Sequence, residues 1–267
     1  MILVHMDVTH IHHVDWAYKV PRVAKVALFE THYLYLIVHL ITIVPVFMLS
    51  FDKKVHFYKS WRFMWQGGLA VGLFFIAWDM WKTHLGIWSF NRDYVLGYYL
   101  YNLPFEELLF FVTVPYACLF IYECLNKYYS FTTPNMIVQA ISVLLFFLLL
   151  FITVQGFEHT YTFVTGVIAL AYLTYHMAYE SLVVRMRFYI AFLVTLLPFF
   201  VVDGILTGAF QQEPVVLYNP KEFLGLRIGS VPLEDIVYLI PLMLASITFY
   251  ENNKKRVRNH EGHKKSL

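Results

Sequence analysis

The chain has 267 residues, 59% of them hydrophobic and only 14% charged, with 20 Tyr and 25 Phe. A soluble domain of this balance would leave far too much apolar surface in water, so the class is a polytopic membrane protein. The formal net charge of +2, with no basic-aromatic stretch, gives no footing for a nucleic-acid partner. Cys118 and Cys124 make neither a disulfide framework nor a zinc site.

Residues 1–32 read as an uncertain leader. His5, His10, His12 and His13 lie there among apolar residues and read as solvated side chains rather than metal ligands. The basic start, apolar centre and small-residue cleavage site of a signal peptide are not found in this stretch. Apolar runs follow at Tyr33–Phe51, Phe63–Asp79, Pro104–Tyr122, Met136–Val154, Tyr161–Tyr179, Phe188–Asp203 and Pro232–Tyr250. They predict an all-α, polytopic integral membrane protein with about seven transmembrane helices. Spanning takes roughly 20 apolar residues. The second, third, sixth and seventh runs fall short without their terminal acids, which sets those acids at the hydrocarbon boundary. Pro45, Pro115, Pro198 and Pro241 interrupt helices, as membrane helices tolerate.

Charge sets the orientation. Lys53, Lys54, Lys59, Arg62, Lys127, Arg185, Arg187 and the tail from Lys254 to Lys265 gather on one side. Lys82, Arg92, Lys221 and Arg227 fall on the other, with Lys19, Arg22 and Lys25 of the leader. The positive-inside rule makes the first side cytoplasmic and turns the N-terminus outward. The expected localisation is integral membrane, in a bacterial cytoplasmic membrane.

The stretch Asp79–Glu123 returns at Asp203–Glu251. Asn91, Gly97, Pro104, Glu106, Glu107, Tyr122 and Glu123 correspond to Asn219, Gly225, Pro232, Glu234, Asp235, Tyr250 and Glu251, every pair at the same offset along the chain. Asp79-x-x-x-Thr83 is echoed by Asp203-x-x-x-Thr207. The expected organisation is a first repeat over 33–130, a spacer helix and loop over 131–160, a second repeat over 161–251 and a basic tail over 252–267. Three helices plus a spacer restore the starting side, so the repeats run parallel about an axis along the membrane normal. Both acid clusters then reach one end of the bundle and share a cavity.

Glu106, Glu107, Glu234 and Asp235 are the leading candidates. Proline followed by acids is a common helix start. However, Leu103 and Val231, at the expected capping positions, cannot cap, and the acids sit among Phe and Leu. Ionisable groups at membrane depth point to function. Crowded carboxylates in an apolar pocket cannot all ionise, so at least one is a proton donor at neutral pH. Asp79 and Asp203 are expected to end helices two and six, against the helix dipole, with Thr83 and Thr207 orienting them. Trp78, Trp88, Phe90 and Tyr94 read as an aromatic belt from which a few rings turn toward a carbocation. Asn91 and Asn219 set loop geometry. His39 and His176 read as satisfied interhelical histidines, and His84 as an outward candidate. No dinucleotide motif, zinc spacing or helix-seven lysine for a retinal Schiff base is present.

W-D-x-x-x-T-x-x-G-x-W-x-F-N-x-x-Y-x-L-G, then L-P-x-E-E-L-L-F-F, resembles the lycopene cyclase domain of the heterodimeric type, and two such units in one chain resemble its fused form. The likeness covers Tyr33 to Glu251. Its first motif, Trp78 to Phe111, is specific. The second is degenerate, with Pro232-Leu-Glu-Asp and no tryptophan in its loop. The resemblance implies a lycopene beta-cyclase, an isomerase acting by acid and base without a cofactor. Its catalytic groups would be Glu106 and Glu234, with Glu107, Asp235, Asp79 and Asp203 in support. Trp78, Trp88, Phe90, Tyr94, Asn91 and Asn219 would contact the substrate. The implied partners are lycopene or a related linear carotenoid, the lipid bilayer and other carotenoid enzymes. Two other readings stay open: a prenyl-lipid enzyme whose carboxylates bind magnesium, and a non-enzymatic carotenoid-binding or transport protein.

Overall fold

The structure is a computed structural model that describes residues 29–130 and 134–265. The four leader histidines and the leader's basic residues lie outside the described residues. Seven α-helices account for most of the rest: α1 Leu34–Leu49, α2 Trp61–His84, α3 Phe105–Tyr128, α4 Asn135–Gln155, α5 Thr160–Tyr179, α6 Leu182–Leu206 and α7 Leu233–Lys265. Helices α3, α4, α6 and the Leu233–Val257 part of α7 are long and apolar enough to cross a membrane. A fifth span is added if Phe57–Trp65 and Gly68–His84, bent by 58°, count as one. The all-α, polytopic class is as expected. The number of helices that meet the spanning criterion by length and composition is four, or up to five.

Several boundaries differ from expectation. Helix α2 continues to His84 and α6 to Leu206, so Asp79 and Asp203 lie inside their helices rather than at the ends. Helix α6 starts at Leu182, earlier than the apolar run, because Ser181 caps it: its Oγ accepts from Val184 N at 3.3 Å. The cap position of α3 is Pro104, not Leu103, and it makes no side-chain bond. The basic tail continues α7 as helix to Lys265.

The repeat is visible in the backbone. Strand β1 (Trp88–Phe90) pairs antiparallel with β4 (Val216–Tyr218) in the register Trp88↔Tyr218, Ser89↔Leu217, Phe90↔Val216. Ser89 and Leu217 are themselves equivalent positions of the two repeats, so a pseudo-twofold axis passes through the middle of this ribbon. Its flanks obey the same rule: Asn91 N donates to Val215 O at 2.8 Å, and Asn219 N to Ile87 O at 2.9 Å. Each half also forms a small hairpin, β2 (Tyr99–Leu100) with β3 (Leu103–Pro104) and β5 (Arg227–Ile228) with β6 (Val231–Pro232). The helices interlock about the axis: α2 packs on α7 while α6 packs on α3, and α1 with α3 matches α5 with α7. At the far end Tyr122 donates to Glu251 Oε1 across the halves at 3.0 Å, and Lys254 pairs with Glu123 at 2.7 Å. Helix α7 is central, with 83% of its apolar window buried. Helix α4 is peripheral, with 28% buried, and leaves most of its apolar surface for lipid.

Loop chemistry explains the matched spacing of the halves. Asn91 Oδ1 accepts from Asp93 N at 3.0 Å, and Asn219 Oδ1 from Lys221 N at 3.1 Å, closing matched Asx turns. Gly97 and Gly225 stand at φ +83° and +78°, where side chains are strained. The hairpin turns place Tyr101 at φ +57° and its counterpart Gly229 at φ +65°. A left-handed residue costs about 1–2 kcal/mol when it carries a Cβ. Tyr101→Gly is therefore expected to stabilise the folded protein by about 1 kcal/mol, and Gly97→Ala to destabilise it by a similar amount, as read by thermal unfolding in detergent. No change in either variant would show that the turn relaxes freely.

Candidate active site

Beneath the β1–β4 ribbon lies a cavity with about 550 Å³ of empty space, counting the open solvent at its mouth. Every helix except α4 lines it. Asp79, Glu107, Asp203 and Asp235 supply carboxyl groups, and Tyr35, Trp88, Phe90, Phe110, Tyr161, Phe199, Tyr218 and Tyr238 supply rings. Leu206, Val216, Leu239 and Leu242 complete the wall. The lining is itself duplicated. At the common offset of the repeat, Glu107 matches Asp235, Phe110 matches Tyr238, Phe90 matches Tyr218 and Trp88 matches Val216, while the D-x-x-x-T motifs match Asp79 to Asp203. The cavity therefore sits on the pseudo-twofold axis, at the interface of the two repeats.

The acids divide by orientation. Successive residues on a helix point about 100° apart, so of each adjacent acid pair one side chain turns to the cavity and one away from it. Glu107 and Asp235 line the cavity; Glu106 and Glu234 do not. Those two hold the loops instead. Glu106 Oε1 accepts from Leu96 N at 2.7 Å and Glu234 Oε1 from Leu224 N at 2.9 Å, the same bond in each repeat. Glu234 Oε1 also accepts from Thr162 Oγ1 at 2.6 Å. The second oxygen of each is buried without a partner among the described residues.

Tyrosines set the cavity acids. Tyr35 donates to Glu107 Oε2 at 2.6 Å. The other oxygen of Glu107 has no hydrogen-bond partner among the described residues. Asp235 is held at both oxygens, by Tyr161 at Oδ1 and by Tyr218 at Oδ2, the latter at 2.7 Å. Burial first, and then the Asp235 charge, push the Tyr218 hydroxyl well above the usual phenol range, so it stays a donor. Asp79 and Asp203 each keep one buried oxygen unpaired among the described residues. Thr207 does not orient Asp203 through its carboxylate: its hydroxyl donates back to Asp203 O at 2.7 Å, the i−4 bond common for threonine. The hydroxyl of Thr83 is buried without a partner among the described residues.

Of the expected ring contacts, Trp88 and Phe90 line the cavity. Trp78 lies behind the wall, stacked on Tyr238 with centroids 4.9 Å apart. Tyr94 is away from the cavity and donates to Glu30 at 2.6 Å; burial and that bond push its hydroxyl up to about 12. Asn91 and Asn219 are loop formers outside the lining. His39 meets Thr113 at 2.9 Å between α1 and α3, and His176 meets Thr248 at 2.6 Å between α5 and α7, so both are interhelical as expected, but only half satisfied: His39 Nε2 and His176 Nδ1 are buried without a partner among the described residues. His84 faces outward near Tyr101. Among the described residues no three His, Cys, Asp or Glu side chains gather as a metal site. Sequence reasoning missed Tyr35, Tyr161 and Lys82. The tyrosines open α1 and α5, where an aromatic looks like interfacial padding. The available signal was their spacing, 72 and 74 residues before the acids they serve.

The fold and site together define an integral-membrane protein with a buried, acidic and aromatic cavity between two parallel repeats. The chain belongs to the lycopene cyclase family, whose model matches residues 32–125 and 158–252, one stretch in each half. A bifunctional lycopene cyclase/phytoene synthase of Podospora anserina is 32% identical over 97 residues, covering 36% of this chain and 16% of that protein. Proteins of the same description from Colletotrichum graminicola and Arthroderma gypseum are 40% and 38% identical over 52 residues, covering 20% of this chain and 9% of each. The chain thus spans only a small part of these relatives. They are fungal and lend no support to a bacterial membrane. No solved structure matches the chain.

Proposed function

We propose that the chain is a lycopene cyclase, an isomerase that closes the linear ends of lycopene into cyclic end groups. One observation carries this reading: Glu107 and Asp235, related by the pseudo-twofold axis, both line one ring-lined cavity between the halves. Such a reaction needs a neutral acid, a base and a space that keeps water from a cation. Glu107 is the proposed acid. Tyr35 fixes one of its oxygens, and the other is unclaimed and able to carry a proton into the cavity. The proton adds to the terminal double bond and leaves a tertiary carbocation. An internal double bond attacks that carbon, forming the ring bond and moving the positive charge into the ring. Asp235, steadied by Tyr161 and Tyr218, takes the proton from the adjacent ring carbon and restores a double bond. One proton enters and one leaves, so the product has the mass of the substrate and no redox partner is consumed. The rings of Phe90, Phe110 and Tyr238 line the cavity and supply π-electron density to the cation. Asp79 and Asp203 tune the charge of the cavity.

Expression in a lycopene-accumulating bacterium tests the activity. The expected result is a change from red lycopene to orange-yellow cyclic carotenoid. Unchanged lycopene, with the protein abundant in the membrane, would refute it and favour a binding or transport role.

Orientation follows the positive-inside rule, with the acid loops outward. Glu30, both acid loops and the α4–α5 turn share one end of the bundle: Glu30 accepts from Tyr94 and Gln212, and Tyr161 N donates to Glu222 O at 2.8 Å. Reporter fusions after Phe157 and after Lys255 are expected to report opposite sides of the membrane. Reports from the same side would overturn the seven-span topology.

A further inference from the structure

Lys82 is fully buried, at 0% exposure. Its ammonium donates to Thr165 Oγ1 at 2.8 Å and makes no ion pair among the described residues. Four rings surround it: Nζ lies 4.0 Å from the centroid of Trp78, 4.2 Å from Tyr161, 4.9 Å from Trp88 and 5.3 Å from Tyr238. A buried ammonium with one hydrogen bond is costly. The ring faces offset part of that cost. Trp88, Tyr161 and Tyr238 also line the cavity, so the cation stands directly behind the cavity wall.

Two further facts give this cation a role beyond packing. Tyr161 turns its face to the ammonium and its hydroxyl to Asp235. A cation on the ring face draws electron density from the phenol and strengthens its O–H as a donor, so Asp235 senses Lys82 through the ring as well as through space. Second, the offset that matches Asp79 and Thr83 to Asp203 and Thr207 puts Leu206 opposite Lys82. A lining built on twofold symmetry thus carries Lys82 on one side only; the other side has its own cation outside the lining, Arg227, 5.8 Å from the Tyr218 ring.

We propose that Lys82 is the positioning residue that makes the two halves unequal: its caged ammonium keeps Asp235 as the carboxylate that accepts the proton and leaves Glu107 to deliver one. This rests on the cyclase reading above, and its test is chosen to stand apart from it. Lys82→Met keeps the length of the side chain and removes the charge; Lys82→Arg keeps the charge. Each is purified into lipid nanodiscs and compared with the parent protein by lycopene kinetics and by infrared spectra in H₂O and D₂O.

Lys82→Met is expected to lower kcat by about 100-fold while KM stays within about threefold, because the lysine acts on the chemical step rather than on binding. Its infrared spectrum should gain a protonated-carboxyl band that shifts in D₂O. Lys82→Arg should show the parent spectrum and recover kcat to within about tenfold of the parent. A Lys82→Met protein with the parent's carboxyl bands overturns the proposal, whatever its kinetics, since packing alone would then explain any loss. If Lys82→Met does not reach the membrane, Thr165→Val decides: the expected result is a several-fold fall in kcat at constant KM, and parental kcat overturns the proposal. If the parent protein forms no cyclic product, the cyclase reading fails, and the infrared comparison still decides whether Lys82 sets the charge of Asp235.

Discussion

Glu107→Gln is expected to lower lycopene turnover by about 10³-fold, within the range that one general acid contributes. The amide keeps the size of the side chain and an acceptor for Tyr35, whose hydroxyl lies 2.6 Å from Glu107 Oε2. It has no proton of suitable acidity to give. The informative control is Glu106→Gln, one residue away. Glu106 lies outside the cavity lining, and its task is to accept from Leu96 N at 2.7 Å, which the carbonyl of glutamine also does. Glu106→Gln should keep turnover within about tenfold of the parent protein. The contrast is measured with purified protein and lycopene in detergent. Equal losses in both variants would mean that the two acids act as one unit and that their separation into a cavity residue and a loop residue has no catalytic meaning.

Asp235→Asn is expected to cost about 10²–10⁴-fold in kcat. The amide cannot take up a proton as a carboxylate does, and its NH₂ group replaces one of the two acceptors that Tyr161 and Tyr218 use. Two hydroxyl donors at one carboxylate stabilise its ionised form, so single removals should be graded. Tyr218→Phe and Tyr161→Phe are each expected to reduce kcat by about tenfold, and the double variant by more than either. Tyr161→Phe keeps its ring over Lys82, which separates loss of the hydroxyl from loss of the cage. Tyr variants with parental kcat would remove Asp235 from the proton path.

Much of this architecture was legible in the residues. The internal repeat located both acid loops and the axis between the halves, because matched turns need matched Asn, Gly and Pro. Seven helices were legible as seven apolar runs. Helix ends were not: Asp79 and Asp203 break the apolar pattern about one turn before the backbone stops being helical, since a polar residue facing a cavity looks like a helix leaving the membrane. The same error hid Lys82. Counted as one charge of the outer loop, it lies in the final turns of α2, just after Asp79, and points inward. From sequence, Glu106 and Glu234 rank first because they hold the first acid position of each motif, whereas the cavity is lined by Glu107 and Asp235. Adjacent residues differ only by a rotation of about 100°, and that is fixed by upstream loop amides, at Leu96 and Leu224.

The most direct measurement of the central claim is the mass of the cyclic product formed in D₂O. An acid that exchanges with solvent delivers one deuteron for each ring closed, and the base removes a substrate proton. The product should therefore carry one added mass unit per ring, and Glu107→Gln should form no such product above background. Cyclic product without deuterium, from protein equilibrated in D₂O, would contradict ring closure by a protein-borne acid in this cavity.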